Sequence, residues 1–309
     1  MAKAKWFKGN IHTHTTESDG DAEPEKVVSW YRRHGYDFLV LSDHNHLTLL
    51  RYAAGKRRFR RPLMIPGEEL SARIEVQQRT VPIHINGIGI SRVVEPINAE
   101  DIVPTIQANV DAIREAGGIA SINHPNFKWA FGHEEISRIE GASLLEVYNG
   151  HPATNSDGGA GKASADEIWD GVLSANRVIF GVATDDSHRY HDFTPMMSNP
   201  GRGWVIVRAT EFSQDAIVDS MRVGDFYSST GVTLSDLNSS HDGVFLRIEQ
   251  DNDAVYTTRF IGRGGTTLAK VNGLEAAYEP RGDEGYVRAT VRGSTPGARA
   301  WTQPVFLNS

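Results

Sequence analysis

The sequence predicts an α/β protein assembled from parallel β/α units, followed by a smaller antiparallel β module. Three observations carry this expectation. Apolar, β-branched runs alternate with helical patterns up to about residue 230. Such alternation argues for consecutive βαβ units rather than for segregated helices and strands. The length, 309 residues, is normal for a barrel built of such units. Beyond about Gly231 the helical spacing disappears, and short strand-like runs are separated by Gly, Asp, Asn and Pro.

Candidate strands are 7–12, 38–42, 63–66, 83–90, 119–123, 144–148, 178–183 and 204–208. Candidate helices lie between them. The first, 25–34, opens after Pro24 and stops before Gly35, the asymmetry expected of helix ends. A second, 101–116, ends at Gly117-Gly118, a third covers 165–175, and a fourth, 214–223, closes at Gly224. In the tail, 244–249, 254–261, 286–291 and 301–307 read as strands. The expected division is a barrel over 1–231 and a β module over 232–309 that packs on it.

Composition narrows the function. The formal charge of −7 supplies no basic footprint for a nucleic-acid polymer. The one basic run, Lys56-Arg57-Arg58-Phe59-Arg60-Arg61, reads as a solvated helix end. With no cysteine, disulfides and thiolate metal sites are excluded. No apolar stretch is long enough to span a bilayer. The start, Met1 to Phe7, is basic without a following apolar region, so no export signal is visible and a cytoplasmic location is expected. Nothing in the sequence fixes the oligomeric state.

The chemistry lies at the strand ends. The first strand closes in His12-Thr13-His14, and alternate strand residues share a face, so both rings can reach one ion. Ser18-Asp19-Gly20 follows on the same loop, and Ser42-Asp43-His44-Asn45-His46 ends the second strand. Then come Gly67-Glu68-Glu69, His84, Asn123-His124-Pro125-Asn126 and Thr184-Asp185-Asp186-Ser187-His188. In a parallel barrel these ends form one face, where the site is built. One or two such residues would be unremarkable, but repetition at corresponding positions points to a metal centre. Mixed imidazole and carboxylate donors suit Zn²⁺, Mn²⁺ or Fe²⁺.

These motifs, taken in order, resemble those of the PHP (polymerase and histidinol phosphatase) superfamily over roughly the first 230 residues. Stretches 8–16, 122–127, 181–188 and 224–231, with tail segments 282–288 and 300–306, resemble its CehA/McbA-type branch. The resemblance implies a distorted (β/α)₇ barrel and two to three divalent ions. One ion would be held by His12, His14, Glu68 and Asp186, Asp186 being preferred to Asp185 on Asp-x-His spacing. A second would share Glu68 and add His84 and His124. A third would use Asp19, His44 and His188. Some relatives carry His where Asp19 stands, which leaves the third site open to a different occupancy. Glu68, as the bridge, and Asp19 and His188 are the residues expected to weigh most on catalysis.

Other residues carry alternatives. Asp43 either orients His44 or caps a turn, and Glu69 either supports the site or faces solvent. His46 has a possible place at the pocket, whereas His34, His133, His151 and His241 read as structural or surface residues. Lys128, Arg189 and Arg202 are candidates to meet a substrate anion, and Trp129 and Phe131 to wall the pocket. The expected activity is hydrolysis of a small-molecule substrate by a metal-bridging hydroxide, with phosphomonoesters or diesters first. Carbamates or carboxylic (aryl) esters are the alternative class, and a non-enzymatic metal-binding module is the remaining one.

Overall fold

The computed structural model describes residues 4–50 and 62–307; the basic run at 56–61 lies outside them. In chain order the elements are β1 (Lys5–Asn10), α1 (Pro24–Arg33), β2 (Phe38–Leu39), β3 (Leu63–Met64), β4 (Gly67–Val76), β5 (Arg79–Ile88), α2 (Ile102–Glu115) and β6 (Ile119–Ile122). They continue with α3 (His133–Ile136), β7 (Leu144–Asn149), α4 (Ala165–Ser174), β8 (Phe180–Thr184), β9 (Trp204–Ala209), α5 (Gln214–Arg222) and β10 (Phe226–Ser229). The tail supplies β11 (Leu234–Ser240), β12 (Gly243–Ile248), β13 (Tyr256–Gly262), β14 (Thr266–Asn272), β15 (Glu275–Tyr278), β16 (Tyr286–Gly293), β17 (Arg299–Thr302) and β18 (Val305–Phe306).

The four expected helices form; Pro24 opens α1, and side-chain caps mark where the other three start. Asp101 accepts a hydrogen bond from the Ile102 N–H at the head of α2. At α4 the Ser164 hydroxyl accepts from the Glu167 N–H while Glu167 accepts from the Ser164 N–H, a reciprocal capping box. Ser213 caps α5 through the Ala216 N–H. Among the described residues, no helix is long and apolar enough to cross a membrane.

The protein is a mixed α/β structure, but among the described residues the sheets do not close into the expected (β/α)₇ barrel. Strands β4-β5-β6-β7-β8 make one open sheet, and β1, β2 and β3 belong to another, ordered β14-β13-β16-β17-β10-β9-β1-β2-β3, with β18 paired to β16. Two features keep the ring open. First, β4 and β5 are a long antiparallel hairpin, where a barrel would have a single parallel strand. Its two-residue turn, Gln77-Gln78, has both φ values positive, at 51° and 64°. That is the backbone of a tight hairpin turn, written without the Asn-Gly or Asp-Gly signature that sequence reading relies on. Second, β9 runs antiparallel to β1. Where the two sheets meet, the β-bridges among the described residues are single and parallel, Thr13 to Ser187 and His44 to Glu69.

The tail strands continue the sheet that carries β1, through β10 paired to β17. A separate three-stranded sheet, β11-β12-β15, lies off this path. Two polar clamps fix the tail to the rest. Fully buried Arg288 on β16 donates to both carboxylate oxygens of Asp170 on α4, at 2.8 and 2.7 Å, with its guanidinium 4.5 Å from the Trp169 ring centroid. The Gln303 amide both donates to and accepts from the Gly181 backbone on β8, at 2.9 and 2.8 Å. Strand β8 leads into Asp185-Asp186-Ser187-His188, so the tail braces the segment from which part of the site is built.

Candidate metal centre

The site forms where the ends of β1, β2, β6 and β8 meet one face of the β4-β5 hairpin. Past β1, the Asn10 side chain accepts from the His12 N–H and donates to the Gly203 carbonyl, which turns the chain inward. The His14 N–H donates to the Ser187 carbonyl, and the Asp186 N–H to the His12 carbonyl, so the two segments run side by side. Several non-glycine residues here hold positive φ, among them Asn45 at 50°, His124 at 20° and Asp186 at 47°. Backbone strain of this kind concentrates at functional sites, where surrounding contacts over-determine it.

The hairpin supplies the central carboxylate, and it is Glu69 rather than Glu68. Strand alternation decides this. Glu68 shares a face with Leu70, Ala72 and Ile74, which are buried in the main hydrophobic cluster. Its carboxyl accepts from the Val94 N–H at 2.6 Å, and burial raises its pKa. Glu69 lies on the other face with Ser71, opposite Asn86 and His84 on β5. Its Oε1 stands 3.3 Å from His12 Nε2, 3.2 Å from His84 Nδ1 and 3.3 Å from His124 Nε2. Its Oε2 stands 3.4 Å from His14 Nε2 and 3.0 Å from His44 Nδ1. The structure thus places Glu69, and not the expected Glu68, among these rings: a one-residue shift along a strand moves the carboxylate from the core to the site.

Around Glu69 the structure brings together the histidines and Asp residues expected from sequence. Asp186 Oδ1 lies 3.3 Å from His12 Nε2 and 3.2 Å from His14 Nε2. Asp19 is 3.1 Å from His188 Nε2 and 3.7 Å from His44 Nε2. Asp185 points elsewhere, accepting from the Tyr31 hydroxyl and from the Arg202 and Gly203 N–H groups. Among the described residues, four groups place one donor atom from each member within 4.8 Å of the others: His14/Asp19/His44/His188, His12/Glu69/His124, His12/His14/Asp186 and His44/Glu69/His84.

Chain chemistry fits divalent cations here. The Nε2 atoms of His12 and His14 are buried and find no hydrogen-bond partner, although carboxylate oxygens stand around them. Unsatisfied buried nitrogens call for an explanation, and an ion between them and the carboxylates supplies one. Electrostatics agree. Burial disfavours charge on His12, yet Asp186, Glu69 and Glu146 outweigh it and hold the ring well above the ordinary imidazole range. Burial likewise opposes charge on His44, but Glu69 and Asp19 carry it up to about 9. For Glu69 and Asp186 burial opposes ionisation, and the surrounding histidines still hold both carboxyls well below the usual range. His14, buried and beside His188, falls to about 4. The carboxylates thus stay ionised, ready for cations.

One residue that sequence reading missed organises the donors. Glu146, fully buried in β7, accepts from His12 Nδ1 at 2.6 Å, the His124 N–H at 2.7 Å, Asn149 at 2.9 Å and Thr184 at 2.6 Å. Its signal in the sequence is a single acid inside an apolar strand, where a charge stays only if paired. The bond to Nδ1 leaves His12 Nε2 facing the site, as such carboxylates do for metal-binding histidines. Asn149 also donates to Asp186 at 3.1 Å, and Ser71 meets His44 Nδ1 at 2.6 Å. The Asp43 carboxylate is engaged away from the His44 ring: it accepts from the Thr15 N–H and from the Thr15, Ser18 and Thr48 hydroxyls, which fixes the loop carrying Asp19.

The site opens into a cavity of about 130 Å³, with Phe127 as an apolar wall and His151 on its rim. Trp129 and Phe131 line a different cavity, of about 610 Å³, together with His133 and Lys162. Lys128 and Arg189 are exposed and line neither cavity; Arg189 reaches the Asp19 carbonyl at 3.5 Å. Arg202 is engaged with the Gly150 and Thr194 carbonyls and the Asn199 side chain. His46 is half exposed, 3.6 Å from Glu17, and His34 stacks on Trp30. His241 is exposed at the β11–β12 turn.

No protein-family model matches this sequence, and no curated protein matches it. Solved structures do. A two-domain protein containing predicted PHP-like metal-dependent phosphoesterase from Bacteroides vulgatus ATCC 8482 aligns over 97% of this chain and 87% of its own, with 17% identity and a TM-score of 0.51. An amidohydrolase from Chromobacterium violaceum, with bound sulfate and no metal, aligns over 62% of this chain and 93% of its own, with 17% identity and a TM-score of 0.41. The first of these shares the fold of this chain along nearly its whole length.

Proposed function

We propose that this chain is a metal-dependent hydrolase of the PHP type, acting on phosphomonoesters or diesters. The observation that carries the reading is the pair of buried, unpartnered imidazole nitrogens, His12 Nε2 and His14 Nε2, facing the Glu69 and Asp186 carboxylates. On this reading His12, His14, Glu69 and Asp186 would hold one ion, Glu69, His84 and His124 a second, and Asp19, His44 and His188 a third. Two or three divalent ions bound there, Zn²⁺, Mn²⁺ or Fe²⁺, would bring roughly four to six positive charges and supply Lewis acidity toward a phosphoryl oxygen and a water. The chain does the rest. Glu146 and Asn149 orient His12 and Asp186, Ser71 orients His44, Asp43 holds the Asp19 loop, and Phe127 limits water on one wall. Residues 1–231 carry the chemistry, and 232–309 brace the β8 end through Arg288 and Gln303.

A phosphoester suits the charge balance. The chain lays three carboxylates around the cavity, Asp19, Glu69 and Asp186, and no Lys or Arg lines it among the described residues. In the metal-free chain, charged rings such as His12 and His44 offset part of that negative charge, and bound divalent ions would carry the balance to positive. The same lack of a lysine or arginine favours a second reading, a neutral carbamate or aryl ester of the kind associated with the CehA/McbA-type branch. The test is a panel of chromogenic phosphomonoesters, phosphodiesters, carbamates and aryl esters with Mn²⁺ or Zn²⁺. The expected result is phosphoester turnover abolished by chelation. Turnover of carbamates or aryl esters alone would establish the second reading, and a protein that takes up no metal and cleaves nothing would overturn both.

A further inference from the structure

The donor inventory of the cavity singles out one side chain. Apart from Phe127, His151 and Thr154, every residue lining it belongs to a group that could hold an ion. Thr154 directs its one hydroxyl proton to backbone, donating to the His151 carbonyl at 2.7 Å. That leaves His151, whose ring centroid lies 5.5 Å from that of His188 at an interplanar angle of 77°. Its Nδ1 accepts a hydrogen bond from the Ala153 N–H at 3.1 Å. An imidazole nitrogen that accepts carries no proton, so in the neutral ring the proton sits on Nε2. The turn after β7 thus fixes the tautomer of a ring on the cavity rim.

We infer that His151 is a catalytic residue that donates its Nε2–H to a substrate oxygen, a direct side-chain N–H contact for an oxyanion from a ring in none of the candidate ion groups among the described residues. The inference rests on the proposed hydrolase function and goes beyond it by assigning a substrate-binding donor that holds no ion. A donor aimed at charge that grows in the transition state is worth more there than in the ground state, and loss of one such donor typically costs about 100-fold in rate. An oxyanion of a phosphoester, with oxygens left over after ion binding, is the ligand class it fits.

The test compares His151→Leu with His151→Gln in the zinc-loaded protein. Both remove the Nδ1 acceptor for Ala153, but the Gln amide can still donate toward the cavity. His151→Leu should keep the wild-type metal content and lose roughly 100-fold in kcat/KM on a phosphoester, and His151→Gln should recover at least tenfold of that. Equal losses in both variants would mean that only the turn was damaged, and full activity in the Leu variant would mean that the ring is idle; either overturns the inference. A second readout does not need turnover. In long-range proton–nitrogen correlation spectra, the His151 signals, assigned by their absence in His151→Gln, should show the Nε2–H tautomer and shift when inorganic phosphate is added. The Nδ1–H tautomer, or no shift at saturating phosphate, would overturn it. If phosphate shifts His151 while the wild type cleaves no phosphoester, the donor assignment stands and the functional reading fails.

Discussion

Replacing Glu69 by Gln removes one negative charge while keeping nearly the shape of the side chain. Its two oxygens lie between 3.0 and 3.4 Å from five imidazole nitrogens, those of His12, His14, His44, His84 and His124. No other carboxylate in the cluster meets so many rings. Loss of a residue that merely orients a metal ligand typically lowers affinity 10- to 100-fold. Loss of an anionic ligand shared by two ions should exceed that for each, so at least about 100-fold per ion, or roughly 2.8 kcal/mol each at 1.4 kcal/mol per tenfold. Glu69→Gln should therefore emerge from dialysis with more than one ion missing and activity near background. The control is Glu68→Gln, whose side chain faces Leu70 and Val94. It should keep its metal and activity, and lose only the roughly 1–3 kcal/mol that an unsatisfied buried amide costs. Elemental analysis beside thermal melting reads both. A Glu69→Gln protein with full metal content, or a Glu68→Gln protein stripped of metal, would refute the assignment of the bridge.

Two further outcomes follow from the same geometry. Glu146→Gln should leave the fold in place but weaken metal affinity 10- to 100-fold, measured with a competing chelator, because His12 loses the carboxylate that fixes its ring. Metal uptake should release protons: burial opposes charge on His44, but Glu69 and Asp19 lift it to about 9, so the metal-free ring is protonated at pH 7.5 and must lose that proton to bind. The sign has a corollary for the metal-free protein. A raised histidine contributes stability that is fully present below about 6.5 and lost as pH rises through about 9. Calorimetry in buffers of different ionisation enthalpy counts the released protons, and the count should fall in His44→Gln.

The sequence made the site more legible than the scaffold. His12-Thr13-His14 is readable because a strand places alternate residues on one face, and Asp186 because its spacing to His188 matches the Asp-x-His of the family that the motifs resemble. The same alternation, applied to Leu70, Ala72 and Ile74, would have assigned Glu68 to the core and Glu69 to the site; the motif drew attention to the first acid after Gly67 instead. Glu146 was hidden because its role is to bond other residues, which leaves no spacing pattern. His151 looked like a loop histidine, since nothing local reveals that the turn after β7 lies over His188. The open sheets were not legible either: the Gln77-Gln78 turn lacks the usual hairpin residues, and the direction of β9 depends on partners distant in sequence.

The central claim is that the Glu69 cluster holds divalent cations, and the direct measurement is diffraction from Mn²⁺-soaked crystals at a wavelength where manganese scatters anomalously. Anomalous peaks are expected within about 2.0–2.3 Å of His12 Nε2, His14 Nε2 and the Glu69 and Asp186 oxygens, with at least one more bounded by Glu69, His84 and His124. A map with no anomalous peak at these atoms in saturating metal, or with peaks at Glu68 instead, would contradict the account.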